Sequence, residues 1–152
     1  MRNLTKDYKA RLFARINASP FLAYLKMAMT ELRYGTATFA IGRDPFRMQP
    51  YGVMHGGNIA TLIDSATFWA CFVAMGTDED ALTSVDLKVS YLAPARDEPL
   101  RCTARMIKAG KTLFLADAEV RAEDDRLIAH GTSTLMRLPG RGLRLGIPMF
   151  TG

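Results

Sequence analysis

The chain has 152 residues, 49% hydrophobic and 23% charged, with a formal net charge of +5. That is enough apolar material for one globular domain with a real core and leaves little room for a second. Its two cysteines, Cys71 and Cys102, make neither a disulfide framework nor a metal-binding spacing, so both read as core thiols.

The opening segment, MRNLTKDYKARLFARIN, is charged throughout and has no apolar stretch followed by small residues. A secretory signal is therefore not expected, and a cytoplasmic location is. A helix is predicted up to about Ile16, then a break at NASP, then a short helix opened by Ser19-Pro20. Leu4, Tyr8, Leu12 and Phe13 form an apolar stripe on the first helix, read as packing on the sheet, with a membrane-surface role as the alternative.

Residues 1–33 carry seven Lys or Arg against Asp7 and Glu31, and Arg137, Arg141 and Arg144 follow Met136 with no acid among them. Such basic ends suit nucleic acid, an acidic membrane surface or a phosphorylated small molecule, or are a solvated surface. The period then changes to two. Ala37, Phe39 and Ile41 alternate with Thr36, Thr38 and Ala40, predicting a strand pair with Gly35 near its turn.

RDPFRMQPYG is a loop, and from Gly56 or Gly57 to about Met75 the pattern is helical and apolar nearly all round, the mark of a helix buried on most sides. Gly76 ends it. Within this stretch, from Met48 to Thr77, the single formal charge is Asp64. Pro50, the Gly56-Gly57 pair, Asn58 and Asp64 argue against a membrane span, because a charge at mid-bilayer is costly.

After the acidic TDEDA come four strand-like segments, residues 82–91, 99–108, 112–121 and 126–136, with KAGKT and EDDR as tight turns between the later ones. A meander is expected. Two strands, a long buried helix and four more strands predict an α+β fold, an antiparallel sheet wrapped around one central helix.

A carboxylate inside such a helix needs a reason, since an ionised group buried without partners costs far more than a domain can spare. On a helical wheel Asp64 shares its face with Gly57, Ala60, Phe68, Cys71 and Met75, several of them small enough to leave space for a ligand. A satisfied structural acid and a functional one both fit. The Gly-Gly favours function, because the first N–H groups of a helix are unpaired and carry the positive end of its dipole. Glycines there let a ligand approach the backbone, and such an end suits a developing oxyanion.

His55 stands apart from any recognisable nucleophile or HExxH spacing, so it reads as an orienting or capping residue rather than a base. His130 reads as an ordinary sheet residue. From Gly57 to Asp64 the helix rises about 10 Å, too far for both to reach one carbonyl group unless the side chain leans back. The simplest arrangement is a dimer in which one chain supplies the amides and the other Asp64.

GVMHGGNIATLID resembles the G-x-x-H-G-G-x(6)-D segment of hotdog-fold thioesterases, specifically the PaaI-like acyl-CoA thioesterase group. TSVDLKVSYLAPAR resembles the strand after the hotdog helix, and KAGKTLFLADAEV is similar to the family's hairpin with a Gly-Lys turn. The resemblance implies a core over residues 35–136, preceded by N-terminal helices and a first strand in 1–34 and followed by a basic tail in 137–152, all one domain. It further implies a double-hotdog homodimer, often paired into a tetramer, with sites at the subunit interface.

Carried over position by position, it makes Asp64 the nucleophile or the general base for water, Gly56 the oxyanion-hole amide and His55 the residue holding that turn. Ser84 helps position the water, and Gln49 stands where many relatives have Asn. Gly57, Phe68 and Val85 fall on substrate-contacting positions, and Gly110, Lys111 and Thr112 near the coenzyme A site, although a plain β-turn explains those three equally. The implied enzyme hydrolyses an acyl- or aryl-CoA thioester, with no metal or redox cofactor and coenzyme A entering only as part of the substrate. Nucleic acid and stable membrane insertion are not expected. The alternatives are a hotdog dehydratase, whose histidine and carboxylate are placed differently, and a non-catalytic acyl-CoA sensor. Against the latter, the first helix lacks a convincing helix-turn-helix partner.

Overall fold

The computed structural model describes residues 2–151. Helices α1 (Lys6–Asn17) and α2 (Pro20–Tyr24) lead into a hairpin of β1 (Met27–Arg33) and β2 (Thr36–Ile41). A loop with a 3-10 turn at Pro45–Arg47 then reaches α3 (Gly56–Met75), and β3 (Ala81–Tyr91), β4 (Leu100–Ala109), β5 (Leu113–Ala122) and β6 (Leu127–Leu138) follow. All six strands form one antiparallel sheet in the order β1-β2-β4-β5-β6-β3. The sheet closes on α3, as the hotdog resemblance implies.

The expected meander is the run β4-β5-β6. The first strand after the helix does not join it at β4; it crosses to pair with β6, so β3 becomes an edge.

Period-two alternation decides which residues meet the helix. Phe39 and Ile41 on β2, Leu100 and Cys102 on β4, Phe114 and Val120 on β5 and Leu135 on β6 are all buried, against Leu62, Ile63, Ala66, Ala70 and Val73 of α3. Small residues on this face, Ala104, Ala116, Ala118, Ala129 and Gly131, let the helix lie close. A Cβ on Gly131 would stand 2.8 Å from both Ile63 Cγ2 and the Lys88 carbonyl oxygen. Each buried aliphatic side chain in this contact contributes about 1.5–3 kcal/mol.

The ends of α3 are defined by its neighbours in sequence. His55 is the N-cap, and Gly76 terminates the helix in the left-handed region at φ 81°, where a Cβ would be strained. The helix is long and apolar enough to suit a membrane by length and composition, yet its last turns, Ala70 to Ala74, are buried in the protein.

That burial corrects the helical wheel at one position. Cys71 is fully buried, and desolvation pushes its thiol up to about 12. The rest of that face stays open beside Asp64, Gly57 exposed and Ala60, Phe68 and Met75 half-buried, with Thr61 and Ser65 half-buried next to them.

The basic C-terminal segment is folded as a strap. Asp80 accepts from the Gly140 N–H at 2.8 Å and from Arg137 Nε at 2.6 Å, and Asp78 accepts from the Leu145 N–H at 2.8 Å. Leu143, Leu145, Ile147, Met149 and Phe150 pack on the core, and Met149 accepts from the N–H of Thr5, the residue that caps α1. Arg141 and Arg144 remain exposed, as do Lys6, Arg11 and Arg15 on α1.

Candidate active site

Of the four N–H groups that a helix start leaves without intrahelical partners, three are satisfied at α3. The His55 N–H donates to the Arg47 carbonyl at 2.8 Å, the Gly57 N–H to His55 Nδ1 at 2.9 Å, and the Asn58 N–H to the His55 carbonyl at 3.0 Å. The fourth, on Gly56, has no acceptor among the described residues. The imidazole of His55 is thus a cap.

Both glycines let a neighbouring side chain come close. A Cβ on Gly57 would lie 3.0 Å from His55 Nδ1, and one on Gly56 would lie 3.1 Å from the ring of Tyr91, whose hydroxyl donates to the Gly56 carbonyl at 3.1 Å. Tyr91 has no counterpart among the sequence-derived site residues. It stands 35 positions from Gly56, and only the pairing of β3 brings them together.

An apolar cleft of about 380 Å³ opens beside Gly56, walled by Val53, Met54, Ile59, Tyr91, Leu92 and the run Ala93-Pro94-Ala95. Among the described residues no charged side chain lines it. A larger hollow on the opposite, convex face of the sheet, between Arg101, Arg105 and Arg121, holds their carboxylate partners Asp125, Asp117 and Glu119 as well, so its charges are already paired.

Asp64 sits two turns further along α3, half-buried. Its side chain accepts a 2.8 Å hydrogen bond from the Ser84 hydroxyl. Ser84 reaches it because the β3–β6 register slips between Ser84 and Asp86. Such a bulge adds one residue to a strand and reverses which faces its neighbours occupy. Before it Leu82 and Ser84 face the helix; after it Leu87, Val89 and Tyr91 do, and Val85, the extra residue, is 52% exposed.

Phe68 follows Asp64 by one turn on the same open face, edge-on to Trp69 at 5.0 Å and stacked on Phe72 at 6.5 Å. Gln49 is engaged in its own loop. Its side-chain oxygen accepts from the Tyr51 N–H, and its N–H and carbonyl bond to Val53 and Gly52. Gly110, Lys111 and Thr112 form the β4–β5 turn, in which a Cβ on Gly110 would stand 2.5 Å from the Leu113 carbonyl oxygen; Lys111 and Thr112 are exposed. His130 lies on the convex face, 3.7 Å from Asp117, as an ordinary sheet residue.

Within one chain these parts fall into two groups. Gly56 meets Tyr91, the last residue of β3, whereas Asp64 meets Ser84 near its start, on the order of 20 Å back along the strand. The 110–112 turn belongs with the second group, since Leu113 pairs with Met136 and Met136 with Thr83. Among the described residues no cluster of three or more His, Cys, Asp or Glu side chains is placed to hold a metal ion.

An antiparallel sheet curled around one long helix is the hotdog architecture, and here an acid stands open on the helix wall while the Gly56 amide at its tip has no acceptor among the described residues. The sequence pattern of the Thioesterase superfamily matches residues 51–129, more than half the chain, and the chain belongs to that family.

Human acyl-coenzyme A thioesterase 13 is 35% identical over 138 residues, covering 88% of this chain and 96% of that protein. A putative esterase of Caenorhabditis elegans is 38% identical over 92 residues, 59% of this chain and 53% of that protein, so the chain spans about half the length of that relative. Among solved structures, a thioesterase family protein from Silicibacter pomeroyi superposes with a TM-score of 0.80 at 33% identity, covering 88% of this chain and 99% of that one. The PaaI protein of Escherichia coli, at 19% identity, shares the fold with a TM-score of 0.80 over 90% of this chain and 97% of its own.

Proposed function

We propose that the protein hydrolyses an acyl-CoA thioester to the free acid and coenzyme A. The observation that carries this reading is the Gly56 N–H, which has no acceptor among the described residues, beside an apolar cleft. A thioester carbonyl directed at it becomes more electrophilic, and the oxyanion formed on attack gains a donor and the positive helix end. Asp64 either attacks the carbonyl carbon directly, giving an anhydride and releasing the coenzyme A thiolate, or deprotonates a water that attacks. The Ser84 hydroxyl, donating to Asp64, keeps its own lone pairs free to hold that water.

The separation of Asp64 from Gly56 along the helix, about 12 Å, supports a site shared between two copies, each lending its helix tip to the acid of the other. The edge strand β3, with the apolar side chains of Val85 and Leu87 exposed on it, supports the same arrangement. The working unit of this reading is a homodimer, able to pair again into a tetramer. A cleft without charged walls suits a neutral, apolar acyl or aryl group, with Phe68, Val85 and Gly57 along the path. Lys111 on the Gly110–Thr112 turn offers a cation to the phosphates of coenzyme A. No resident metal, redox cofactor or nucleic acid enters this reading. The two free buried thiols suit the reducing cytoplasm.

The test is a hydrolysis screen over short, medium, long and aryl-CoA thioesters, with wild type beside Asp64→Asn. Turnover by the wild type and its loss in the variant are expected; an active Asp64→Asn enzyme would sink the mechanism.

A further inference from the structure

The loop from Gly42 to His55 has little regular structure, a single 3-10 turn and a Met48–Met54 bridge, yet it must hold the start of α3 in place. At its centre Arg47 is 5% exposed. Its Nη1 donates to the Gly42 carbonyl at 2.8 Å, and its Nη2 to the carbonyls of Leu25, at 2.5 Å, and Lys26, at 3.5 Å. Its Nε is buried with no partner among the described residues. Among the described residues no carboxylate forms an ion pair with it. Its own carbonyl accepts from the His55 N–H at 2.8 Å and from Asn58 Nδ2 at 3.4 Å.

Taking a guanidinium out of water costs several kcal/mol, which an apolar residue of similar volume would avoid. What the arginine alone supplies is a rigid fork that bonds several carbonyls in fixed directions. Those carbonyls belong to the end of α2 and the end of β2, and the backbone of the same residue bonds the N-cap of α3. One residue therefore locks the helix tip to two other elements.

We infer that Arg47 is a positioning residue for the oxyanion site, acting through its backbone contact with His55 to fix the direction of the Gly56 N–H. The inference rests on the proposed thioesterase reading. An amide needed only when charge develops on oxygen acts on the transition state, so misdirecting it lowers kcat and leaves KM nearly unchanged. Asp64 is not part of this network. The pH profile of kcat is expected to stay where it was.

The test compares wild type, Arg47→Met and Arg47→Lys, with Asp64→Asn as reference, by kcat, KM, Tm and the 15N–1H signal and hydrogen exchange of Gly56. Arg47→Met, which keeps the bulk and deletes the fork, is expected to lose about tenfold in kcat with KM within about twofold. The Gly56 amide signal should shift, and the pH profile should not. Arg47→Lys, with one nitrogen in place of a fork, should fall between the two, and it carries the test alone if the methionine variant does not fold. A fall in Tm with kcat and the Gly56 signal unchanged would make Arg47 structural only. A displaced pH profile would mean that it acts by charge on Asp64. Either overturns the inference. A wild type inert on every thioester would instead refute the proposed function, while the Gly56 signal would still report whether Arg47 orients that amide.

Discussion

The Ser84 hydroxyl donates to Asp64 across the bulge in β3, at 2.8 Å. A hydrogen bond to a charged group contributes about 1.5–3 kcal/mol. Ser84→Ala is therefore expected to lower kcat by about tenfold to a hundredfold, while Ser84→Thr, which keeps the hydroxyl, recovers part of it. Steady-state kinetics on any substrate found in the screen decide this. Equal activity of wild type and Ser84→Ala would remove Ser84 from the reaction.

Gly56 allows its amide to be deleted with little change of backbone. Proline lacks the N–H and is well tolerated at the first position of a helix, and His55, at φ −62° and ψ 129°, already has the extended conformation a following proline demands. Tyr91, which the ring would meet, is 55% exposed and free to move. Gly56→Pro should fold, lose about 10²–10³ in kcat, as removal of an oxyanion donor does, and keep a KM close to that of wild type. A Gly56→Pro enzyme with normal kcat would place the oxyanion elsewhere.

A site divided between copies has a direct signature. Asp64→Asn and Gly56→Pro, each inactive alone, restore one intact site in every mixed dimer. Equimolar mixing after subunit exchange should therefore recover about one quarter of wild-type activity. Recovery of nothing, with exchange verified by mass, would place both groups in one chain.

The strap at the C-terminus sets an acid limit to stability. The Gly140 N–H and then Arg137 hold the Asp80 carboxyl below its ordinary value. A group depressed in the folded state stabilises the fold fully above its unfolded value, and that contribution is lost as pH falls through the folded one. Tm should decline as pH drops below about 4. Asp80→Asn, which keeps an acceptor for Gly140 and loses the charge, should start lower at neutral pH and decline less between about pH 6 and 3. Parallel slopes for the two proteins would show that Asp80 has no part in it.

Much of this was legible in the residues themselves. The bounds of α3 follow from a histidine able to cap, a glycine pair and a closing Gly76. Asp64 stood out as a single charge in a long apolar run. Even the bulge left a trace, since Leu82 is out of phase with Val85, Leu87, Val89 and Tyr91.

Other features have no local signal. Nothing in residues 81–91 says that this strand pairs with β6 and becomes an edge. Arg47 looks like any loop arginine until α2, 22 positions earlier, packs against it. Tyr91 reads as a strand aromatic until it presses on Gly56.

Propensity, periodicity and capping act between near neighbours, so the amino-acid order by itself determined the elements, the buried faces and the unusual acid. Strand order, the Ser84 contact with Asp64 and the anchoring of the Gly56 amide depend on residues tens of positions apart. Only closure of the sheet around α3 decided them, because register and burial are settled between segments that meet for the first time when the chain folds.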